Sequence, residues 1–139
     1  MNAGPVVGIV LVSHSAPVAE SVAELARGLA AGGAVAPVAA AGGGPDGGLG
    51  TNAELVLAAA SAVDRGAGVV LLADLGSSVL TVKALLADEE LPPGSRLADA
   101  PFLEGAVAAV VGIVLVSHSA PVAESVAELA RGLAAGGAV

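Results

Sequence analysis

Two ionisable side chains, His14 and Asp74, each follow a short apolar run in this sequence. His14 comes after Gly8–Val12, and Asp74 comes after Val69–Ala73. Such runs are typical of strands buried on both faces of a parallel sheet, and open α/β sheets bind ligands at the carboxyl ends of their strands. A carboxylate that accepts a hydrogen bond from one imidazole nitrogen fixes the tautomer and leaves the other nitrogen free as a nucleophile or ligand. The pair is therefore a candidate catalytic site.

Hydroxyl groups and predicted helix starts surround this pair. Pro17 is tolerated in the first turn of a helix, so we expect a helix to begin just after His14. A helix amino terminus disfavours imidazolium and favours an anion, which its free backbone N–H groups can bind. A histidine that accepts a phosphoryl group would use all of these features. The further hydrogen-bond donors expected at the site are Ser13, Ser15, Thr51, Ser77 and Ser78.

Each of these residues also has an ordinary structural interpretation. A histidine beside serines at a strand end is often only a turn residue, and an aspartate before Leu-Gly-Ser is often only a helix cap. Their predicted placement at adjacent strand ends is what favours a functional site. The glycine-rich loop Ala41–Gly50 lacks the lysine of a P-loop and the spacing of a dinucleotide-binding motif. We therefore expect no bound cofactor.

Alternating strand and helix patterns position these residues and predict an α/β fold, an open parallel sheet with helices on both faces. The first strand is predicted at Val6–Val12, and the helix after it ends at Gly32-Gly33. Helical spacing predicts that the apolar face of that helix consists of Val18, Val22, Leu25 and Leu29. The later elements predicted are a strand Ala34–Ala40, a helix from Thr51 to Arg65 with Thr51 and Glu54 as capping box, a strand Val69–Ala73, a serine-capped helix carrying Val79, Val82, Leu85 and Leu86, an edge strand Arg96–Asp99 and a helix Pro101–Val110.

Composition excludes several classes of function. The 139 residues suffice for one domain, and a net charge of −8 with only five Lys and Arg leaves no basic face for nucleic acid. The sequence has no basic amphipathic helix that would bind a membrane surface. It also has no apolar run of about 18 residues that would span a membrane. Without cysteine there are no disulfides or thiolate ligands, and we predict no metal site. The amino terminus lacks a signal-peptide pattern, so we expect a cytoplasmic protein.

A thirty-residue segment occurs twice: residues 6–35 recur without change as residues 110–139. The predicted sheet has one position for this strand and helix, so two identical segments compete for it. Connectivity favours the first copy, because no turn residues separate Ala109 from Gly112. Two alternatives stay open: the second copy replaces the first as in a circular permutant, or it inserts into a neighbouring chain as a domain swap.

Four motifs carry a family resemblance that spacing alone does not provide. They are Gly8–Ser15, Gly47–Thr51, Asp74–Ser78 and Ala100–Ala106. In this order they resemble the DhaM family, the phosphotransferase subunits of PEP-dependent dihydroxyacetone kinase, which are related to mannose-type EIIA domains. The resemblance covers about residues 6 to 110 and implies a mannose-type EIIA-like fold.

The resemblance also implies an activity, that of a phosphotransferase subunit dependent on the phosphotransferase system. His14 would accept a phosphoryl group from the phosphocarrier HPr, and the group would pass to ADP on the DhaL subunit and so to dihydroxyacetone. By the same resemblance Asp74 would orient His14, and the loop around Gly50 and Thr51 would line the site. His118 in the second copy matches the motif as well as His14 does, but it lacks its own equivalent of Asp74 and could act only by displacing the first copy.

We divide the chain into an EIIA-like phosphocarrier domain, residues 1–110, and a duplicated strand-helix segment, residues 111–139, which copies residues 7–35. Members of the resembled family are typically homodimers, and here a homodimer or a domain-swapped oligomer is expected. Two alternatives to a carrier are retained. A tetrapyrrole metal chelatase also has a His-containing turn after its first strand, although that chemistry needs more than one imidazole ligand. A duplicated or engineered scaffold would be folded but inactive.

Overall fold

The computed structural model describes residues 6–30 and 36–115, with residues 111–115 as backbone. The predictions for Gly32-Gly33, for residues 116–139 and for His118 lie outside the described residues. The elements in chain order are β1 (Gly8–Ser13), α1 (Ala16–Leu29), β2 (Val38–Gly42), α2 (Ala53–Val63), β3 (Val69–Ala73), α3 (Gly76–Ala87), β4 (Arg96–Leu97) and α4 (Phe102–Leu115).

The four strands form one parallel sheet in the order β2-β1-β3-β4. The first copy of the repeated segment therefore supplies a central strand, β1, which pairs with β2 on one side and with β3 on the other. The chain moves outward from β1 to β2 and then crosses to β3. This reversal puts a topological switch point, where such sheets bind ligands, between β1 and β3. The predicted α/β class with a parallel sheet is confirmed.

Alternate side chains of the two central strands enter two separate apolar cores, because successive strand residues point to opposite faces. Helices α1 and α4 cover one face of the sheet, and α2 and α3 cover the other. Ile9, Leu11, Val70 and Leu72 belong to the first core, and Val10, Val12, Val69 and Leu71 belong to the second. Burial on both faces explains why both runs are continuously apolar.

Of the four residues predicted to form the apolar face of α1, only Val22 packs against the core, and the buried positions of the helix are alanines. Alanines at positions 19, 23 and 26 are buried, whereas Val18 and Leu25 are each 46% exposed and Leu29 is 60% exposed. Alanine at these positions allows α1 to lie close to β2 and α4, against which it packs. Helical spacing correctly indicated that this segment is a helix. Choosing the large apolar side chains as its buried face was wrong at Val18, Leu25 and Leu29.

Several predicted boundaries and caps are also wrong. The second strand begins at Val38 rather than Ala34, and β4 contains only two residues. Asn52, not Thr51, caps α2, because its side chain accepts the Glu54 N–H at 3.0 Å. The cap position of α3 is Leu75, so no serine caps that helix. Helix α4 continues beyond Val110 to Leu115, because the apolar residues that open the second copy extend it without a break.

None of the helices in the described ranges combines the length and the apolar character that a membrane crossing needs.

Candidate active site

The site forms where β1 and β3 end next to each other. Val12 and Ala73 are paired in the sheet, and the Asp74 N–H donates to the Val12 carbonyl at 3.1 Å. The residues that follow, His14 and Asp74, are thereby brought into contact. His14 Nδ1 lies 3.0 Å from Asp74 Oδ1, and the His14 backbone N–H donates to Asp74 Oδ2 at 3.1 Å.

The Asp74 carboxylate accepts hydrogen bonds from three further groups. The Ser13 hydroxyl donates to Oδ2 at 2.8 Å, and the Ser78 hydroxyl donates to Oδ1 at 2.9 Å. The Leu75 backbone N–H also donates to Oδ1, at 2.7 Å. A carboxylate with this many donors is fixed in orientation and is stabilised in its charged form.

The pKa of Asp74 is set by opposing effects. Burial of the carboxyl group raises the pKa, whereas the hydrogen bonds from the His14 backbone, from Ser13, from the His14 ring and from Ser78 lower it. The hydrogen bonds prevail and lower the pKa of Asp74 from 3.8 to about 2. The group is therefore a carboxylate anion at neutral pH.

The charge on Asp74 determines which tautomer of His14 fits. An ionised carboxylate can only accept hydrogen bonds, so the proton of the neutral ring must be on Nδ1. The lone pair of Nε2 then points away from Asp74, towards Ser77, whose Oγ lies 2.5 Å from it. The His14 side chain is 25% exposed at the sheet edge, with the Ser77 hydroxyl lying against Nε2. In this tautomer Nε2 is the ring atom with a lone pair available for nucleophilic attack.

The loop after β2 is attached to the backbone on either side of the His14 Cα. The Gly50 N–H donates to the His14 carbonyl at 3.0 Å, and the Gly43 N–H donates to the Ser13 carbonyl at 3.1 Å. These two bonds hold the turn that carries His14 and bring the loop to one side of the site.

The amino terminus of α3 lies on another side of the site. Ser77 and Ser78 are in its first turn, and both hydroxyls reach the His14 ring, Ser78 Oγ at 3.2 Å from Nδ1. No side chain among the described residues caps this helix. Uncapped N–H groups at the start of a helix bind anions, and the helix dipole adds to that attraction.

The structure brings together six of the predicted site residues: His14, Asp74, Ser13, Gly50, Ser77 and Ser78. Two others lie beside the site without contacting the ring. Ser15 caps α1 by accepting the Val18 N–H at 3.4 Å, and Thr51 Oγ1 lies 3.2 Å from Thr81 Oγ1.

Thr81, the partner of Thr51, was not predicted. It follows Ser77 by four residues in α3, and residues at that spacing share a helix face. This spacing in the sequence could therefore have indicated that Thr81 lies on the same side of α3 as Ser77. The contact joins the loop after β2 to α3, the two segments on either side of His14.

In residues 6–30 and 36–115, no three side chains of the metal-ligating types His, Cys, Asp and Glu come together.

Comparisons with known proteins give consistent results. Residues 8–111 match the family model EIIA-man, described as PTS system fructose IIA component. The chain is 33% identical over 107 residues to a Listeria innocua protein, "PEP-dependent dihydroxyacetone kinase 2, phosphoryl donor subunit DhaM", covering 76% of this chain and 84% of that protein. The fold of the present chain is similar to that in the crystal structure of a protein of unknown function, EF1359, with a TM-score of 0.75 and 24% identity. The match covers 91% of this chain and 93% of the other.

Proposed function

Because the chain belongs to the mannose-type EIIA family of the phosphotransferase system, we propose that it carries a phosphoryl group on His14 Nε2. The observation that carries the proposal is the contact of His14 Nδ1 with the Asp74 carboxylate at 3.0 Å. That contact leaves the opposite ring nitrogen unprotonated, at an edge of the sheet where a partner can approach.

The chemistry is a transfer between two nitrogen atoms. The Nε2 lone pair attacks the phosphorus of a phosphohistidine on the donor, a new N–P bond forms, and the donor N–P bond breaks. The donor imidazole departs with its electron pair. The Nδ1 proton of His14 stays in place, so the phosphorylated ring is cationic and faces the anionic Asp74, which stabilises the product.

The hydroxyls and the start of α3 interact with the phosphoryl group in this proposal. Ser77 turns from Nε2 to donate to a phosphoryl oxygen, and the first N–H groups of α3 face the same charge. The N–H groups of α3 need no such rotation, and donors already fixed where negative charge arrives lower the barrier.

The similarity to the phosphoryl donor subunit of a dihydroxyacetone kinase supports a specific pathway. We propose HPr as the donor, ADP on a DhaL-type subunit as the acceptor and dihydroxyacetone as the final substrate. A system of this kind operates in the cytoplasm. We also propose a homodimer from the family relationship, or a domain-swapped oligomer from the repeated segment. His14 and Asp74 are the proposed catalytic pair of the protein.

The test is intact-mass spectrometry after incubation with phosphoenolpyruvate, enzyme I and HPr at alkaline pH, because phosphohistidine is labile in acid. We expect one added phosphoryl group, lost in His14→Ala and retained in Ser61→Ala, which alters an exposed serine of α2. A folded wild-type protein that gains no mass would contradict the proposal and favour the inactive-scaffold alternative.

A further inference from the structure

The loop between β2 and α2, residues 43–52, is cross-linked by its own hydrogen bonds. The Gly44 N–H donates to the Gly48 carbonyl at 2.8 Å, and the Gly47 N–H donates to the Gly44 carbonyl at 3.0 Å. The Asp46 carboxylate accepts the Gly48 N–H at 2.9 Å. Because these bonds hold the loop residues in fixed positions relative to one another, the way in which the loop is anchored determines where all of it lies.

The carboxyl end of this loop is bonded both to the backbone of His14 and to helix α3. The Gly50 N–H donates to the His14 carbonyl at 3.0 Å. The next residue, Thr51, has its Oγ1 3.2 Å from Thr81 Oγ1, so one hydroxyl donates to the other. Both threonines are partly buried, which limits the competition of water for this hydrogen bond.

Helix α3 holds the ring of the same histidine. Ser77 and Ser78, in the first turn of the helix, reach the His14 ring at Nε2 and Nδ1. Thr81 follows these serines by four and three residues, and residues at those spacings are neighbours on a helix surface. The loop therefore holds the backbone of His14 and α3 holds its ring, and the hydrogen bond between Thr51 and Thr81 joins these two supports.

We propose that Thr81 is a positioning residue of the phosphoryl-transfer site and that it acts through Thr51. By fixing the loop against α3, the hydrogen bond between the two hydroxyls sets the position of the His14 backbone relative to Ser77 and to the first N–H groups of α3. This inference rests on the proposed function of His14. Neither threonine hydrogen-bonds to the ring, so neither takes part in forming or breaking the N–P bonds. Their effect is on alignment, and a misplacement of about 1 Å can cost about 100-fold in rate.

The test replaces each threonine by valine, which has nearly the same shape without the hydroxyl, in Thr81→Val, in Thr51→Val and in the variant with both changes. Thr81→Ser keeps the hydroxyl and is the matched conservative variant. Ser61→Ala, on the exposed surface of α2, is the control for loss of an unrelated hydroxyl. Phosphoryl uptake from HPr, kept phosphorylated by phosphoenolpyruvate and enzyme I, is followed by intact-mass spectrometry over a range of HPr concentrations. These data separate the maximal rate of uptake from the half-saturating concentration of HPr, and circular dichroism and urea titration establish which variants are folded in the assay.

We expect Thr81→Val to lower the maximal rate by at least about 5-fold and to leave the half-saturating HPr concentration within about 2-fold of that of the wild type. Thr81→Ser should retain a maximal rate within about 2-fold of that of the wild type, because it can form the same hydrogen bond. Thr51→Val and the double variant should be slowed by the same factor as Thr81→Val, since each removes the same contact.

An unchanged maximal rate in a folded Thr81→Val would overturn the inference, and so would a Thr81→Ser as slow as Thr81→Val. Effects that multiply in the double variant would show that the threonines act separately and would overturn it as well. If Thr81→Val does not fold, Thr51→Val removes the same bond from the loop side and decides the question by the same criteria. In all of these cases the wild type gains one phosphoryl group, whereas a folded wild type that gains none would refute the proposed function itself.

Discussion

Ser77 Oγ lies 2.5 Å from His14 Nε2, on the side of the ring opposite Asp74. The nitrogen proposed to bond phosphorus is therefore covered by a hydroxyl that must turn aside before the reaction. Because Ser77 is exposed and sits in the first turn of α3, its side chain can rotate without disturbing the core. The same hydroxyl is then in place to donate to the incoming phosphoryl group.

Ser77→Ala should slow phosphoryl uptake by about 10- to 100-fold, because a hydrogen bond to a charged group contributes about 1.5–3 kcal/mol. Its effect on the free energy of unfolding should be within about 0.5 kcal/mol, since the residue is exposed. Ser78→Ala is the contrasting variant: its hydroxyl is fully buried and donates to Asp74, so unfolding free energy should fall by about 1–3 kcal/mol. Rates of mass increase and urea titrations measure the two effects. Equal loss of stability in both variants would show that Ser77 has a structural role instead.

Asp74→Asn should lower the rate of phosphoryl uptake by at least about 10-fold. The variant removes the anion that holds the proton on His14 Nδ1 and that faces the cationic phosphorylated ring. Asp88→Asn is a suitable control, because Asp88 ends α3 on an exposed surface away from the ring. An unchanged rate in a folded Asp74→Asn would contradict the assigned role of the carboxylate.

Stability should fall in acid as Asp74 becomes protonated. Its pKa is about 2 in the folded protein, below the ordinary aspartate pKa of 3.8, so the ionised carboxylate stabilises the fold above about pH 4. That contribution, about 1 to 2 kcal/mol for a partly solvated group, is lost as the pH falls from about 4 to 2. Chemical denaturation of the wild type and of Asp74→Asn across this range measures it. The wild type should lose more stability than the variant, and parallel pH profiles would contradict this prediction.

Two glycine-to-alanine substitutions should change stability in opposite directions. A Cβ at Gly42, the last residue of β2, would lie 2.7 Å from the Ala16 Cα, so Gly42→Ala should cost about 1–3 kcal/mol by overpacking. A Cβ at Gly28 in α1 meets nothing within 4 Å, so Gly28→Ala should stabilise by about 0.5–1 kcal/mol through helix propensity. Urea unfolding measures both. A neutral Gly42→Ala would show that β2 and the start of α1 can move apart.

Sequence patterns predict an element well where a clear apolar run ends at a polar residue. The run Val69–Ala73 is a strand at its predicted boundaries, because it is apolar, rich in β-branched residues and ends at Asp74. The second strand was misplaced because Val38–Gly42 contains three alanines and a glycine, which have little preference for strands. Its position depends on pairing with β1, which local sequence does not reveal.

For the candidate site, too, some features could be predicted from the sequence and others could not. His14 and Asp74 could be predicted because strand ends in a parallel sheet meet at one edge. The hydrogen-bond partner of each hydroxyl could not be predicted, because it depends on the rotation of each helix or strand about its axis. Ser15 and Thr51 turn to backbone and Thr81 partners, whereas Ser13 and Ser78 reach the carboxylate.

Both edges of the described sheet are poor templates for aggregation. At one edge β4 forms only two pairs with β3, and at the other β2 presents mainly alanine and glycine. An exposed edge strand seeds intermolecular ladders when it is long, flat and strongly apolar, and neither edge has those properties. The apolar strands that would be dangerous in that position, β1 and β3, are both enclosed at the centre. Within the described sheet, the two strongly apolar strands are thus kept away from the exposed edges.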